Sequence, residues 1–190
     1  MIRIGILGDI GSGKSFVAKS FGYPVFNADD EVAKIYKKNR VCFLKLKKIL
    51  PQYIKTFPID KTELTSAILN NKNNIKKIIK IVHPLIRKKM NLFLSKNKNK
   101  KLVVLDIPLL LENKIENKNM ILVFVDAKKA DISGRLSKRK GFNIKILKSL
   151  KEIQLPLDYK KRKSRYIIKN FYTKKIVRKR VKTVLRKILK

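Results

Sequence analysis

An α/β domain built on a mostly parallel five-stranded sheet is predicted by three observations. Five short apolar runs punctuate the chain, segments of helical period separate them, and a glycine-rich turn joins the first run to the first helical stripe. Ile2 to Leu7 is the first run and reads as a buried central strand. Lys14 to Phe21 then carries Val17, Ala18 and Phe21 on one helical stripe, which Gly22 ends. Tyr23 to Asn27, Leu102 to Asp106, Met120 to Asp126 and Tyr166 to Lys169 supply the other four strands.

No run between Asp29 and Leu94 reads as a strand, so this stretch is expected to be helical. Asp60 and Glu63 have capping-box spacing at the start of a helix through Leu69. Ile75 to Val82 and Leu85 to Leu94 read as two further helices split by His83-Pro84. Asn97 to Lys101 is a charged connector. Gly141 and Asn143 part a helix running through Arg139 from another that starts near Ile144. Val177, Val181, Val184, Leu185 and Ile188 keep helical spacing, which suits a closing amphipathic helix packed on the core.

The chain of 190 residues matches one domain of roughly 100–200 residues, large enough to bury a core without disulfides or a structural metal. Cys42 is the only cysteine and His83 the only histidine, so neither a disulfide framework nor a Cys/His zinc cluster is expected. A reducing cytoplasm fits best. No apolar run reaches the ~18 residues of a membrane span, and the apolar start has no basic leader or cleavage motif, so a soluble protein with no membrane partner is expected.

The net charge of +36 comes from 39 lysines and 10 arginines against 13 acids. Such a charge ordinarily points to nucleic acid or another polyanion. Here the lysines are spread from Lys14 to Lys190 without arginine clusters or stacking aromatics, which reads as a solvated surface and no specific nucleic-acid partner.

Gly8-Asp9-Ile10-Gly11-Ser12-Gly13-Lys14-Ser15 satisfies the G-x-x-x-x-G-K-[ST] pattern between a strand and a helix. Gly8, Gly11 and Gly13 let the backbone approach phosphate oxygens closely, and the N–H groups through Ser12 and Gly13 can point at them. Lys14 is placed for the β- and γ-phosphates and the Ser15 hydroxyl for Mg²⁺. The nucleotide expected here is ATP. No N-K-x-D guanine reader is present, so a GTP switch is not the expected reading. A short chain with this loop, a helical insertion and an arginine-bearing lid reads as a small-molecule P-loop kinase. Its nucleotide core comprises residues 1–28, 100–134 and 160–190 of a single 1–190 unit, with a helical acceptor-binding insertion at 29–99 and a lid at 135–159.

Several further segments fall in the order of one family. They are Asn27-Ala28-Asp29 after the second strand, His83-Pro84-Leu85-Ile86 with Arg87, and Asp106-Ile107-Pro108-Leu109-Leu110-Leu111-Glu112. Arg135 and Arg139 follow, then Gln154, Pro156, Lys160 and Asn170. Together with the glycine loop they make the chain resemble the dephospho-coenzyme A kinase family over nearly its whole length. The resemblance implies MgATP-dependent phosphorylation of the 3′-hydroxyl of dephospho-coenzyme A. Two departures stand out: Asn27 replaces the first aspartate of the family's pair, and Ser164-Arg165 stands where the family usually has Ala-Asp.

By that resemblance Asp29 is the catalytic carboxylate, and a carboxylate at the carboxyl edge of a strand can take or orient a hydroxyl proton. Its plainer reading is an N-cap for a helix over Glu31 to Lys38. Asp106 reads either as a Walker-B-like acid holding Mg²⁺ through water or as a structural cap. His83 reads as a surface imidazole or as part of the acceptor site, Arg87 is a candidate for an acceptor phosphate, and the resemblance implies that Gln154 also binds the acceptor. Arg135 and Arg139, spaced i to i+4, are expected to share one helix face from which both can swing over the nucleotide, with Arg139 the expected lid arginine over the ATP phosphates. Three rivals remain open: a kinase of nucleoside monophosphates or another metabolite hydroxyl, a basic nucleic-acid-binding ATPase, and a degenerate P-loop binding module without turnover.

Overall fold

The computed structural model describes residues 1–139 and 141–190, and Lys140, inside the predicted lid span, lies outside them. The strands are β1 (Ile2–Gly8), β2 (Val25–Asn27), β3 (Leu102–Asp106), β4 (Met120–Asp126) and β5 (Tyr166–Lys169). They form one sheet in the order β2-β3-β1-β4-β5, every pairing parallel. All five expected strands are present. The helices begin with α1 (Lys14–Ser20), α2 (Ala28–Lys38), α3 (Arg40–Ile49), α4 (Lys61–Asn70) and α5 (Asn74–Lys96). After them come α6 (Lys129–Ser137), α7 (Ile144–Glu152), α8 (Leu157–Lys163) and α9 (Lys174–Leu189).

The chain divides into two compact units. The first, residues 1–27, 96–142 and 154–190, holds the sheet. Every residue of β3 is buried because the strand is covered on both faces, as an inner parallel strand must be. Val17 and Ala18 of α1, with Phe21 at its C-cap, pack with Ile4 and Ile6 of β1, Val104 of β3 and Val123 and Val125 of β4. Val177, Val181, Val184 and Ile188 of α9 close the same core, each side chain stabilising the fold by about 1.5–3 kcal/mol through burial. Parallel strands bring Gly8, Asn27, Asp106 and Asp126 to one edge of the sheet, the carboxyl edge where ligands of such folds bind.

The second unit, residues 28–95 and 143–153, has helices and no strand among its regular elements. Within the 135–159 span, α6 clusters with the sheet unit, whereas α7 packs on α4 in the helical unit. Asn143 caps α7 by accepting from the N–H groups of Lys145 and Ile146 at 2.9 and 3.2 Å.

Two local expectations are corrected. The segments on either side of His83-Pro84 form one helix, α5, with Pro84 inside it. Ile75, Ile78, Val82, Ile86 and Met90 make one unbroken buried stripe along it, and Pro84 is exposed. Packing of that stripe outweighs the ~3 kcal/mol cost of an interior proline. Asp60 does cap α4, accepting from Thr62 N–H at 2.8 Å, but Glu63 does not complete a capping box. Its Oε1 accepts from the backbone N–H groups of Lys55 and Thr56 at 3.1 and 3.2 Å and from Thr56 Oγ1 at 3.1 Å, tying down the loop before the helix.

Candidate active site

The loop after β1 turns on its glycines. Gly8, Gly11 and Gly13 have φ of 147°, 84° and 88°, all in the region that side chains avoid. A Cβ on Gly8 would lie 2.7 Å from Val125 O and 2.8 Å from Ser12 Oγ, and one on Gly13 would collide with Asn170 Nδ2. The backbone therefore encloses a space that only glycine leaves open. Within it Ser12 is 1% exposed, and its Oγ has no hydrogen-bond partner among the described residues. Such an orphaned buried hydroxyl suits a polar ligand of the cradle.

Lys14, the first residue of α1, turns its ammonium back over the loop and donates to Gly8 O at 3.2 Å and Asp9 O at 2.8 Å. Ser15 follows it on the first turn, exposed. The loop is braced by Ile10 N–H donating to Asp9 Oδ1 at 2.7 Å and Ser12 N–H to Asp9 O at 3.1 Å. From the far end of the chain, Asn170 donates through Nδ2 to Ser12 O at 2.8 Å.

At the end of β3, Asp106 is buried, and Asn27 Nδ2 of β2 donates to its Oδ2 at 3.0 Å. This places a carboxylate at the carboxyl edge beside β1, the strand that leads into the glycine loop. The Ser15 hydroxyl and the Asp106 carboxylate are hard oxygen donors of the type that suits Mg²⁺, which usually binds through one or two protein oxygens together with waters and phosphates. No cluster of three or more His, Cys, Asp or Glu side chains arranged for a metal occurs among the described residues.

Three of the predicted acceptor residues lie in the helical unit. α2 begins at Ala28, so Asp29 is the second residue of its first turn, exposed, and not its N-cap. Asp30 and Glu31 share that turn, and Glu31 pairs with Lys34 at 2.6 Å. His83 and Arg87 lie four apart on α5 and therefore on one face. Burial, reinforced by the Arg87 charge, pushes the His83 imidazole below its ordinary value. Gln154, half-buried, lies between α7 and α8 in the sheet unit.

Arg139 is not on a helix face with Arg135. α6 ends at Ser137, and the chain tightens into a turn in which Arg139 N–H donates to Leu136 O and Phe142 N–H to Arg139 O, both at 3.0 Å. Gly141 at φ 75° follows, and Arg139 is exposed. The helical spacing of the two arginines in the sequence was broken by this early stop. Arg165 begins the approach to β5, exposed, with its guanidinium 5.7 Å from the Tyr166 ring centroid and its N–H donating to Leu122 O at 2.9 Å.

The sequence reading missed how two segments are held. Lys160 of α8 is 1% exposed and pairs with Glu112 Oε1 at 2.5 Å, and the same oxygen accepts from Leu155 N–H at 3.0 Å. Their polar identities at the end of the Asp106 segment and in the Gln154 segment were the available signal. Tyr172, whose hydroxyl donates to Gly11 O at 2.9 Å, carried no signal at all.

A parallel sheet in this order, with a glycine cradle after its central strand and Lys-Ser opening the next helix, defines a P-loop kinase. A solved structure from Thermus thermophilus has the same architecture, with a TM-score of 0.77 at 27% identity, covering 98% of this chain and 97% of that one. The dephospho-CoA kinase from Campylobacter jejuni shares the fold, with a TM-score of 0.62 at 24% identity over 99% of this chain and 98% of its own. The family profile of dephospho-CoA kinase matches residues 2–175, and the chain belongs to that family. A dephospho-CoA kinase of Wolbachia sp. subsp. Brugia malayi is 34% identical over 187 residues, 96% of this chain and 95% of the relative. No helix among the described residues is long and apolar enough to cross a membrane.

Proposed function

We propose that this chain transfers the γ-phosphoryl group of ATP to the 3′-hydroxyl of dephospho-coenzyme A, completing coenzyme A in the cytoplasm. The observation that carries the reading is the glycine cradle at Gly8, Gly11 and Gly13, in a chain whose family match runs almost end to end. Phosphoryl transfer asks a protein mainly for positioning and for charge that meets the transition state. The loop N–H groups and Lys14 hold the donor phosphates. Ser15 and Asp106 would hold Mg²⁺, which supplies charge neutralisation at the phosphate oxygens when bound. Asp29 orients the acceptor hydroxyl and takes its proton as the new O–P bond forms and the bond to the β-phosphate oxygen breaks, leaving ADP. His83, Arg87 and Gln154 line the acceptor site, and Arg139 meets the donor phosphates from the lid.

The test is incubation of the purified protein with MgATP and a panel holding dephospho-coenzyme A, nucleoside monophosphates and simple alcohols, with products identified by mass. Phosphorylated dephospho-coenzyme A is expected, with little product elsewhere. Comparable turnover of a nucleoside monophosphate would replace this reading with a nucleotide kinase.

A further inference from the structure

Tyr172 adopts φ 59°, a left-handed backbone that non-glycine residues occupy at a cost. It is half-exposed and lies outside the hydrophobic core of the sheet unit, so core packing does not account for it. Three contacts do hold it. Its N–H donates to Asn170 Oδ1 at 2.7 Å, its hydroxyl donates to Gly11 O at 2.9 Å, and the Arg135 guanidinium covers its ring 4.3 Å from the centroid. Asn170, 2% exposed, carries a second tie through Nδ2 to Ser12 O.

Two successive carbonyls of the phosphate loop, Gly11 and Ser12, are thus anchored to one turn at residues 170–172. A peptide unit is rigid and trans, so fixing a carbonyl fixes the following N–H on the opposite side. The unit between Gly11 and Ser12 is held at both ends, by Tyr172 on its oxygen and by Asp9 O on its N–H. The unit between Ser12 and Gly13 is held at its oxygen by Asn170, which sets the direction of Gly13 N–H. Arg135 closes a circuit. It belongs to α6, whose Ile132 and Leu136 press on Gly11 so closely that a Cβ there would lie 3.1 and 3.0 Å from them. One helix therefore reaches the loop twice, directly through its apolar face and indirectly through the tyrosine ring.

We propose that Tyr172 is a positioning residue for the nucleotide, fixing the Gly11–Ser12 peptide of the phosphate loop, and that Arg135 acts through the Tyr172 ring and not on the nucleotide itself. The proposal rests on the reading of that loop as the ATP site. Backbone strain kept at a functional turn, where packing does not demand it, fits this role. Burial pushes the phenol up, with the Arg135 charge opposing, so the hydroxyl keeps the proton it donates.

The test measures ATP affinity, both KM values, kcat and Tm. Tyr172→Phe keeps the ring and removes the donor. It should raise Kd and KM for ATP ~3- to 10-fold, as loss of one hydrogen bond does, while KM for the acceptor and Tm stay close to the parent. Tyr172→Gly relieves the backbone strain, so ATP affinity should fall while Tm holds or rises; a purely structural residue would lose both. Arg135→Ala should weaken ATP in the parent but have no further effect in a Tyr172→Leu background. Equal losses in both backgrounds would place Arg135 on the nucleotide and overturn that half of the proposal. Unchanged ATP affinity in Tyr172→Phe would overturn the other half. Lys14→Ala separates the underlying reading: if it binds ATP normally, the loop is not the ATP site and the role of Tyr172 falls with it.

Discussion

Asn27 and Asp106 stand side by side at the ends of β2 and β3, paired in register, with Asn27 Nδ2 donating to Asp106 Oδ2 at 3.0 Å. The amide lets the two strand ends meet through a hydrogen bond where two carboxyl groups would otherwise face each other. Asn27→Asp would replace that donor with a like charge in contact with a buried carboxylate, which raises the pKa of the pair. A carboxyl whose folded pKa is raised contributes stability at low pH and loses it as pH rises. The variant should therefore melt below the parent at pH 7 without Mg²⁺, and the gap should close toward about pH 5 or on adding Mg²⁺. A deficit independent of both would show that the hydrogen bond, and not charge, governs this contact.

Asp29 sits inside the first turn of α2 and is not its cap, so replacing its carboxylate by an amide removes no capping bond. Asp29→Asn is expected to leave Tm nearly unchanged and to lower kcat by ~10²–10⁴, with KM for either substrate little altered, since a general base acts mainly in the transition state. Steady-state kinetics with a melting curve on the same preparation checks both. If kcat survives, the base is another group, and Asp106 is the next to replace.

Lys160 and Glu112 are a buried pair, and removal of one partner leaves a charge without compensation. Glu112→Gln should cost about 3–5 kcal/mol in urea unfolding, and Lys160→Met a similar amount. Replacing both by apolar residues, as Glu112→Leu with Lys160→Met, should recover most of the loss. A double variant as unstable as the singles would show that the Leu155 N–H bond to Glu112, not the ion pair, secures this segment.

The lowered pKa of His83 makes a pH prediction with a definite sign. The folded state favours the neutral imidazole, so the stability it contributes is complete above the unfolded value of about 6.5 and is lost as pH falls below it. Tm of the parent should drop between pH 7 and about pH 5 more steeply than that of His83→Gln. Identical profiles would mean that the imidazole is as solvated folded as unfolded.

The glycine loop, the five strands and the buried faces of α1 and α9 were legible in the sequence because each is written in neighbouring residues. Gly8, Gly11 and Gly13 set a turn by their own backbone freedom, and Val177, Val181, Val184 and Ile188 declare a buried face by spacing alone. The sequence also carried the family resemblance that names the acceptor. Tertiary structure decided what local rules leave open. Pro84 reads as a break, yet α5 runs through it because a buried stripe on both sides outweighs one missing hydrogen bond. Arg135 and Arg139 have helical spacing, yet α6 stops between them. The contacts of Asn27 with Asp106, Lys160 with Glu112 and Tyr172 with Gly11 join residues far apart in the chain, with 161 positions separating the last pair. No periodicity or spacing rule spans such distances; which polar groups meet there depends on how the strand ends and the turns beyond them come together in the folded sheet unit.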